Sequence, residues 1–81
     1  MRLRVHTIEK TLFDGEIKSL TLPTESGEIT ILPDHLPLVT LTKPGLIRIF
    51  DNEGKKHIID FSMFGFLEVK PEDEGIILLA E

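Results

Sequence analysis

Apolar residues along this chain recur at every second position or in short β-branched blocks. No window keeps the i, i+3, i+4, i+7 spacing of an amphipathic helix over three turns, so the pattern predicts an all-β chain. Leu3 and Val5 alternate with Arg2, Arg4 and His6, which predicts a half-buried first strand with its basic residues outward. Residues 11–13 and 16–22 flank Asp14-Gly15. That dipeptide favours the positive φ angles of a type I′ turn, so a tight hairpin is expected there. Ile17 falls out of phase with Leu20 and Leu22, the mark of a bulge near Lys18-Ser19 that moves the inward set by one residue.

Residues 23–27 read as a turn, and Glu28-Ile29-Thr30-Ile31 alternates until Pro33 removes a ladder donor. A Pro-X-His-X-Pro loop over residues 33–37 follows. Further strands are expected at 38–41, 46–50, 55–60, 64–70 and 76–80, separated by Pro44-Gly45, by Asp51-Asn52-Glu53-Gly54 and by a polar turn beginning at Pro71. About nine short strands with regular turn signals imply a sandwich or flattened barrel of two packed sheets, because each apolar face needs a cover. Gly65, inside a strand pattern, points to a bulge or a close backbone approach.

Composition narrows the function classes. Eighty-one residues make one domain, spanning 1–81, with a thin stability margin. There is no cysteine, hence no disulfide framework or thiolate zinc site, and the N-terminus carries no signal-peptide run, so an intracellular chain is expected. Apolar runs such as 76–80 fall far short of the roughly 20 residues needed to span a bilayer, so no direct membrane insertion is expected. A net charge of −5 argues against nucleic acid as a partner. In the last quarter six carboxylates stand against Lys70 alone, read as a solvated acidic edge.

Candidate chemistry is sparse. Three histidines stand far apart, and no G-x-S-x-G elbow, H-E-x-x-H pair or phosphate-binding G-x-x-x-x-G-K-[ST] loop occurs. No catalytic residue, cofactor or metal is expected. Asp34-His35 is the one adjacent acid–imidazole pair. It reads either as a base dyad or half a metal site, or as a loop in which Asp34 caps a turn and His35 bonds backbone or packs at a subunit contact. His6 and His57 read as plain surface residues. The stretch 61–66, rich in phenylalanine, is either core filling or a docking patch.

The block from Gly27-Glu28 to Thr40, with Phe13-Asp14-Gly15 before it and Pro44-Gly45 and Gly65-Phe-Leu-Glu-Val69 after it, resembles the amino-terminal β domain of the epsilon subunit of the rotary ATP synthase. The resemblance covers essentially the whole chain. It implies a ten-stranded, mainly antiparallel β sandwich that binds the gamma subunit and rests on the c ring. Such a subunit couples proton-driven rotation to ATP synthesis without doing chemistry itself. It implies partnership with gamma and the c ring directly and with the catalytic alpha/beta head indirectly. Its place would be peripheral, on the cytoplasmic face of a bacterial inner membrane or the equivalent organelle membrane. By position, Glu28 matches the family's acidic residue facing the c ring, with Ser26, Gly27 and Ile29 beside it. His35, Thr40 and Thr7 match gamma-interface positions, and Leu38 is either interface or core.

The family usually has glycine at the places of Thr24, Asp34 and Phe64, and Ser62-Met63-Phe64-Gly65-Phe66 is one residue longer than its usual Ser-Gly-Gly-Phe. Typical bacterial relatives continue into a two-helix domain that inhibits ATP hydrolysis, and the 81 residues are expected to lack that mode of inhibition. The alternative readings are a free-standing β sandwich that binds a small ligand or peptide, and a small hydrolase.

Overall fold

A computed structural model describes residues 1–80. Eight strands follow in order: β1 (Arg2–His6), β2 (Thr11–Thr24), β3 (Gly27–Ile31), β4 (Leu38–Thr42), β5 (Gly45–Asp51), β6 (Lys56–Phe61), β7 (Gly65–Lys70) and β8 (Glu74–Leu79). The class is all-β and mainly antiparallel, as expected; β1 with β8 is the parallel pair. Glu81, counted above in the acidic quarter, lies outside the described residues.

The strand count differs from expectation at one place. Asp14 and Gly15 do not turn the chain; they pair with Arg4 and Leu3 and run on inside β2. Gly15 is not among the positive-φ glycines, so the type I′ geometry is absent. The reason is non-local. β1 lies alongside, and an extended chain gains its ladder bonds plus an Arg2–Asp14 ion pair at 2.8 Å, which a turn would forfeit.

At about 3.3 Å per residue the 14 residues of β2 would reach about 46 Å. The longest dimension of the molecule is 28 Å, so β2 must bend. Its register slips between Ile17 and Ser19, where the out-of-phase apolar pattern places a bulge. Before the bulge β2 pairs with β1, and after it with β5 and β3, so one strand joins both layers of the sandwich. Hydrogen bonding then runs β1–β8–β7–β4 and meets β2 again at Thr42–Thr24, which closes a flattened barrel.

Leu3, Val5, Ile17, Leu20, Leu22, Ile49, Leu67 and Ile77 fill the core, each almost wholly removed from water. Burial of each such side chain stabilises the fold by about 1.5–3 kcal/mol. Gly65 sits where β7 presses against its neighbours. A Cβ there would lie 2.8 Å from the Leu78 carbonyl, the Leu79 side chain and Thr42 Oγ1, so the expected close approach is real. The Thr42 hydroxyl is buried beside it without a hydrogen-bond partner.

Candidate functional site

The β2–β3 turn is built by Thr24. Its hydroxyl donates to the Gly27 carbonyl at 2.7 Å and accepts from the Ser26 N–H at 3.2 Å. Gly27 takes a φ of 106°, which a side chain would strain. Thr24 is itself buried, which places Ser26, Gly27 and Glu28 at the surface and leaves Ile29 half-buried against the core. The Glu28 carboxylate does not point free into solvent; Arg48 of β5 reaches it at 2.8 Å. Among the described residues β3 is hydrogen-bonded to β2 alone, so its outer edge is open.

β4 pairs with β7 along its length but meets β2 only at Thr42, which leaves most of its other edge open too. Leu38 and Thr40 share the parity of buried Thr42: Leu38 packs against the core and Thr40 is half-buried on that open edge. Before β4, His35 donates its main-chain N–H to the Leu32 carbonyl and lies with Nδ1 2.6 Å from the Leu36 carbonyl. That is the loop-backbone role; the imidazole does not bond Asp34. Asp34 does not cap a turn either. It holds a φ of 63°, in the left-handed region where glycine is the easiest residue, and its N–H is accepted by the Asp73 carboxylate at 2.8 Å.

The register sorts these residues by end. In the β1–β8–β7–β4 layer Leu38 faces Val69, and Thr42 faces Gly65, which faces Leu79. Thr7 follows His6, the partner of Leu78, and therefore lies at the Thr42 end with the Thr24–Gly27 turn. His35 lies at the opposite end. The structure thus brings Ser26, Gly27, Glu28 and Thr7 toward one end, with Thr40 between, and separates His35 from them. Thr7 is buried, and its hydroxyl organises the turn at Glu9 and Lys10.

Sequence reasoning touched the apolar outer face of the same layer only at 61–66. Leu41, Phe66 and Leu78 stand directly opposite one another across β4, β7 and β8, and all are exposed, Phe66 by 48 % and Leu78 by 50 %. Val39, also exposed, stands in the adjoining cross-strand row opposite Glu68. Ile8, 84 % exposed, joins Phe64, Phe66 and Leu78 around a groove that ends at Ala80. The signal was the absence of alternation: Leu38-Val39 and Ile76-Ile77-Leu78-Leu79 are apolar on both parities, and a strand so written has two apolar faces. The stretch 61–66 divides as its two readings did: Phe61 packs on the core, while Met63, Phe64 and Phe66 are exposed.

His57 is a correction to the surface reading. Its Nε2 lies 2.9 Å from Asp51 Oδ2, and its ring meets Phe13 edge-on at 5.0 Å. The His57 bond, followed by the Lys55 N–H, holds the Asp51 carboxyl below its ordinary value. Asp73 is likewise lowered, first by the Asp34 N–H and then by the Met1 amine. Among the described residues no group of three or more His, Cys, Asp or Glu side chains converges as a metal site, and no helix is long and apolar enough to cross a membrane.

A family profile described as "ATP synthase, Delta/Epsilon chain, beta-sandwich domain" matches residues 1–81. Over 81 residues the chain is 41% identical to the ATP synthase epsilon chain of Herminiimonas arsenicoxydans, covering 100% of this chain and 56% of that relative. It therefore spans little more than half the length of that relative. Among solved structures, a chain of the Euglena gracilis mitochondrial ATP synthase (OSCP/F1/c-ring, rotational state 1) superposes with a TM-score of 0.88 at 25% identity, over 98% of this chain and 49% of that one. A chain of the Tetrahymena thermophila mitochondrial ATP synthase central stalk and c ring gives 0.75 at 18% identity, over 100% and 63%, a likeness of fold alone.

Proposed function

The chain belongs to the ATP synthase delta/epsilon β-sandwich family, and from that membership we propose that it is a non-catalytic central-stalk component joining the gamma subunit to the c ring. The observation that carries the reading is the row Leu41–Phe66–Leu78, an apolar surface beside the open edge of β4. A contact that bears torque needs an apolar centre with a polar rim. Here the row is the centre, Glu68 and Arg4 lie in the adjoining cross-strand row, and Thr40, Leu38, His35 and Thr7 border the same layer. Gamma docks on this layer. The c ring meets the β2–β3 turn through Ser26, Gly27, Glu28 and Ile29, where backbone and one carboxylate are presented together. The catalytic head is reached only through gamma, and the chain is held at the cytoplasmic face of a bacterial inner membrane, or its organelle equivalent, by the complex.

Size-exclusion chromatography of this chain with purified gamma tests the assignment. A one-to-one complex is expected, and Phe66→Asp, an exposed site that tolerates charge in the free chain, should abolish it. Separate elution of the wild-type chain and gamma, or an unaltered complex with Phe66→Asp, refutes the docking face.

A further inference from the structure

Among the described residues two non-glycine positions have positive φ, Asp34 at 63° and Asp73 at 60°. They lie 39 positions apart in sequence, yet they are hydrogen-bond partners: the Asp34 N–H donates to Asp73 Oδ1 at 2.8 Å. One belongs to the loop between β3 and β4, the other to the β7–β8 turn. Left-handed backbone at a residue with a side chain persists only where the surroundings hold it. For Asp34 two restraints are visible: the turn closed by the His35 N–H on the Leu32 carbonyl at 3.2 Å, and that carboxylate. The loop has few others. Leu32 and Leu36 are exposed, Leu36 by 79 %, and Pro33 and Pro37 have no N–H to donate.

We propose that Asp73 is a positioning residue for the docking loop: its carboxylate latches the Asp34 N–H and so presents His35 and Leu36 to gamma in one conformation. The inference rests on the gamma-binding reading above and adds to it a residue on another hairpin that touches no partner through its carboxylate. A latched loop enters the complex already ordered. An unlatched one must be ordered during binding, so affinity falls by the fraction of time the loop is competent. The carboxylate is an ionised acceptor, which makes the bond stronger than a neutral one, and the lowered pKa of Asp73 has this N–H as its first cause.

Two variants separate the latch from the turn it sits in. Asp73→Gly removes the carboxylate while suiting the positive φ, so the β7–β8 turn should survive; Asp73→Asn keeps an uncharged acceptor oxygen in place. Amide hydrogen exchange of the free chain and gamma affinity are both measured. Expected are faster exchange at Asp34 and His35 in Asp73→Gly with strand amides unchanged, an affinity loss of about tenfold, and an intermediate position for Asp73→Asn. Unchanged exchange at Asp34 in Asp73→Gly, or full gamma affinity alongside accelerated exchange, overturns the proposal. Should Asp73→Gly lose strand protection as well, Asp73→Asn decides alone: wild-type exchange and affinity in it refute the charged latch. Failure of the wild-type chain to bind gamma would count against the docking reading, while the exchange data would still decide whether the latch exists.

Discussion

At the scale of single residues, the junction of Gly65 and Thr42 is closely packed and holds a buried hydroxyl without a partner. The close approach of Gly65 was legible, because a glycine inside an otherwise bulky strand has few other reasons to be there. What it approaches was not legible, since Thr42, Leu78 and Leu79 are brought in by pairings of β4 and β8 with β7. Gly65→Ala should cost about 1–3 kcal/mol, because the Leu78 carbonyl is backbone and cannot give way. Thr42→Val, which removes a buried hydroxyl lacking a partner, should raise stability by up to about 1 kcal/mol. Urea unfolding at neutral pH reads both; a stabilised Gly65→Ala or a clearly destabilised Thr42→Val would show that the junction is misdescribed. Acid behaviour belongs to this scale as well. Asp51 has a folded-state acidity stronger than its unfolded one. Its contribution is therefore present above the ordinary carboxylate value, about 3.9, and is lost as pH falls through the lower folded value. Asp51→Asn keeps an oxygen for the Glu53 and Lys55 N–H groups but cannot titrate. Its urea midpoint should fall less than that of wild type between about pH 5 and 2.

At the scale of elements, β2 shows how far a local pattern reaches. Its bulge was legible because Ile17, Leu20 and Leu22 must all point inward, and only an inserted residue reconciles their spacing. Its continuity through Asp14-Gly15 was not, because the ladder partner that overrides the turn preference comes from β1. The same division holds at β4, where Leu38 read as interface or core and is half-buried with one side packed against the core. Deleting Lys18 removes the extra residue of the bulge, which would return Ile17, Leu20 and Leu22 to strict alternation but take away the bend that carries β2 from one layer to the other. Loss of a cooperative thermal transition is the expected outcome, followed by circular dichroism. Retention of wild-type unfolding would mean that β2 crosses between layers without needing the bulge. Leu20→Ala, by contrast, leaves register intact and should cost about 2–5 kcal/mol, a large share of the margin available to a chain of this size.

At the scale of the whole molecule the two proposed partners meet through one hydrogen-bonded corner. Thr24 faces Thr42, and the Glu25 N–H reaches the Leu41 carbonyl at 3.4 Å, so the turn offered to the c ring is fastened to the strand offered to gamma. A turn of Ser26, Gly27 and Glu28 was legible as an exposed site, but the partner held by Glu28 was not, since Arg48 is brought to it through two sheet pairings. That ion pair creates an ambiguity which a charge swap resolves. Glu28→Lys alone breaks the pair and sets like charges together, so weakened retention on rotor-containing membranes has two explanations, a lost c-ring contact or a disturbed hairpin. A pair this exposed is worth at most about 1 kcal/mol, so the hairpin effect should be small. Glu28→Arg combined with Arg48→Glu restores attraction across the sheet while keeping the outward charge reversed. If Glu28 faces the c ring electrostatically, the double variant should unfold like wild type yet remain poorly retained, with the defect shrinking as salt is raised. Recovery of retention in the double variant would mean that Glu28 acts only by steadying β3, and the c-ring contact would then have to be sought at Ser26 and the open edge of that strand.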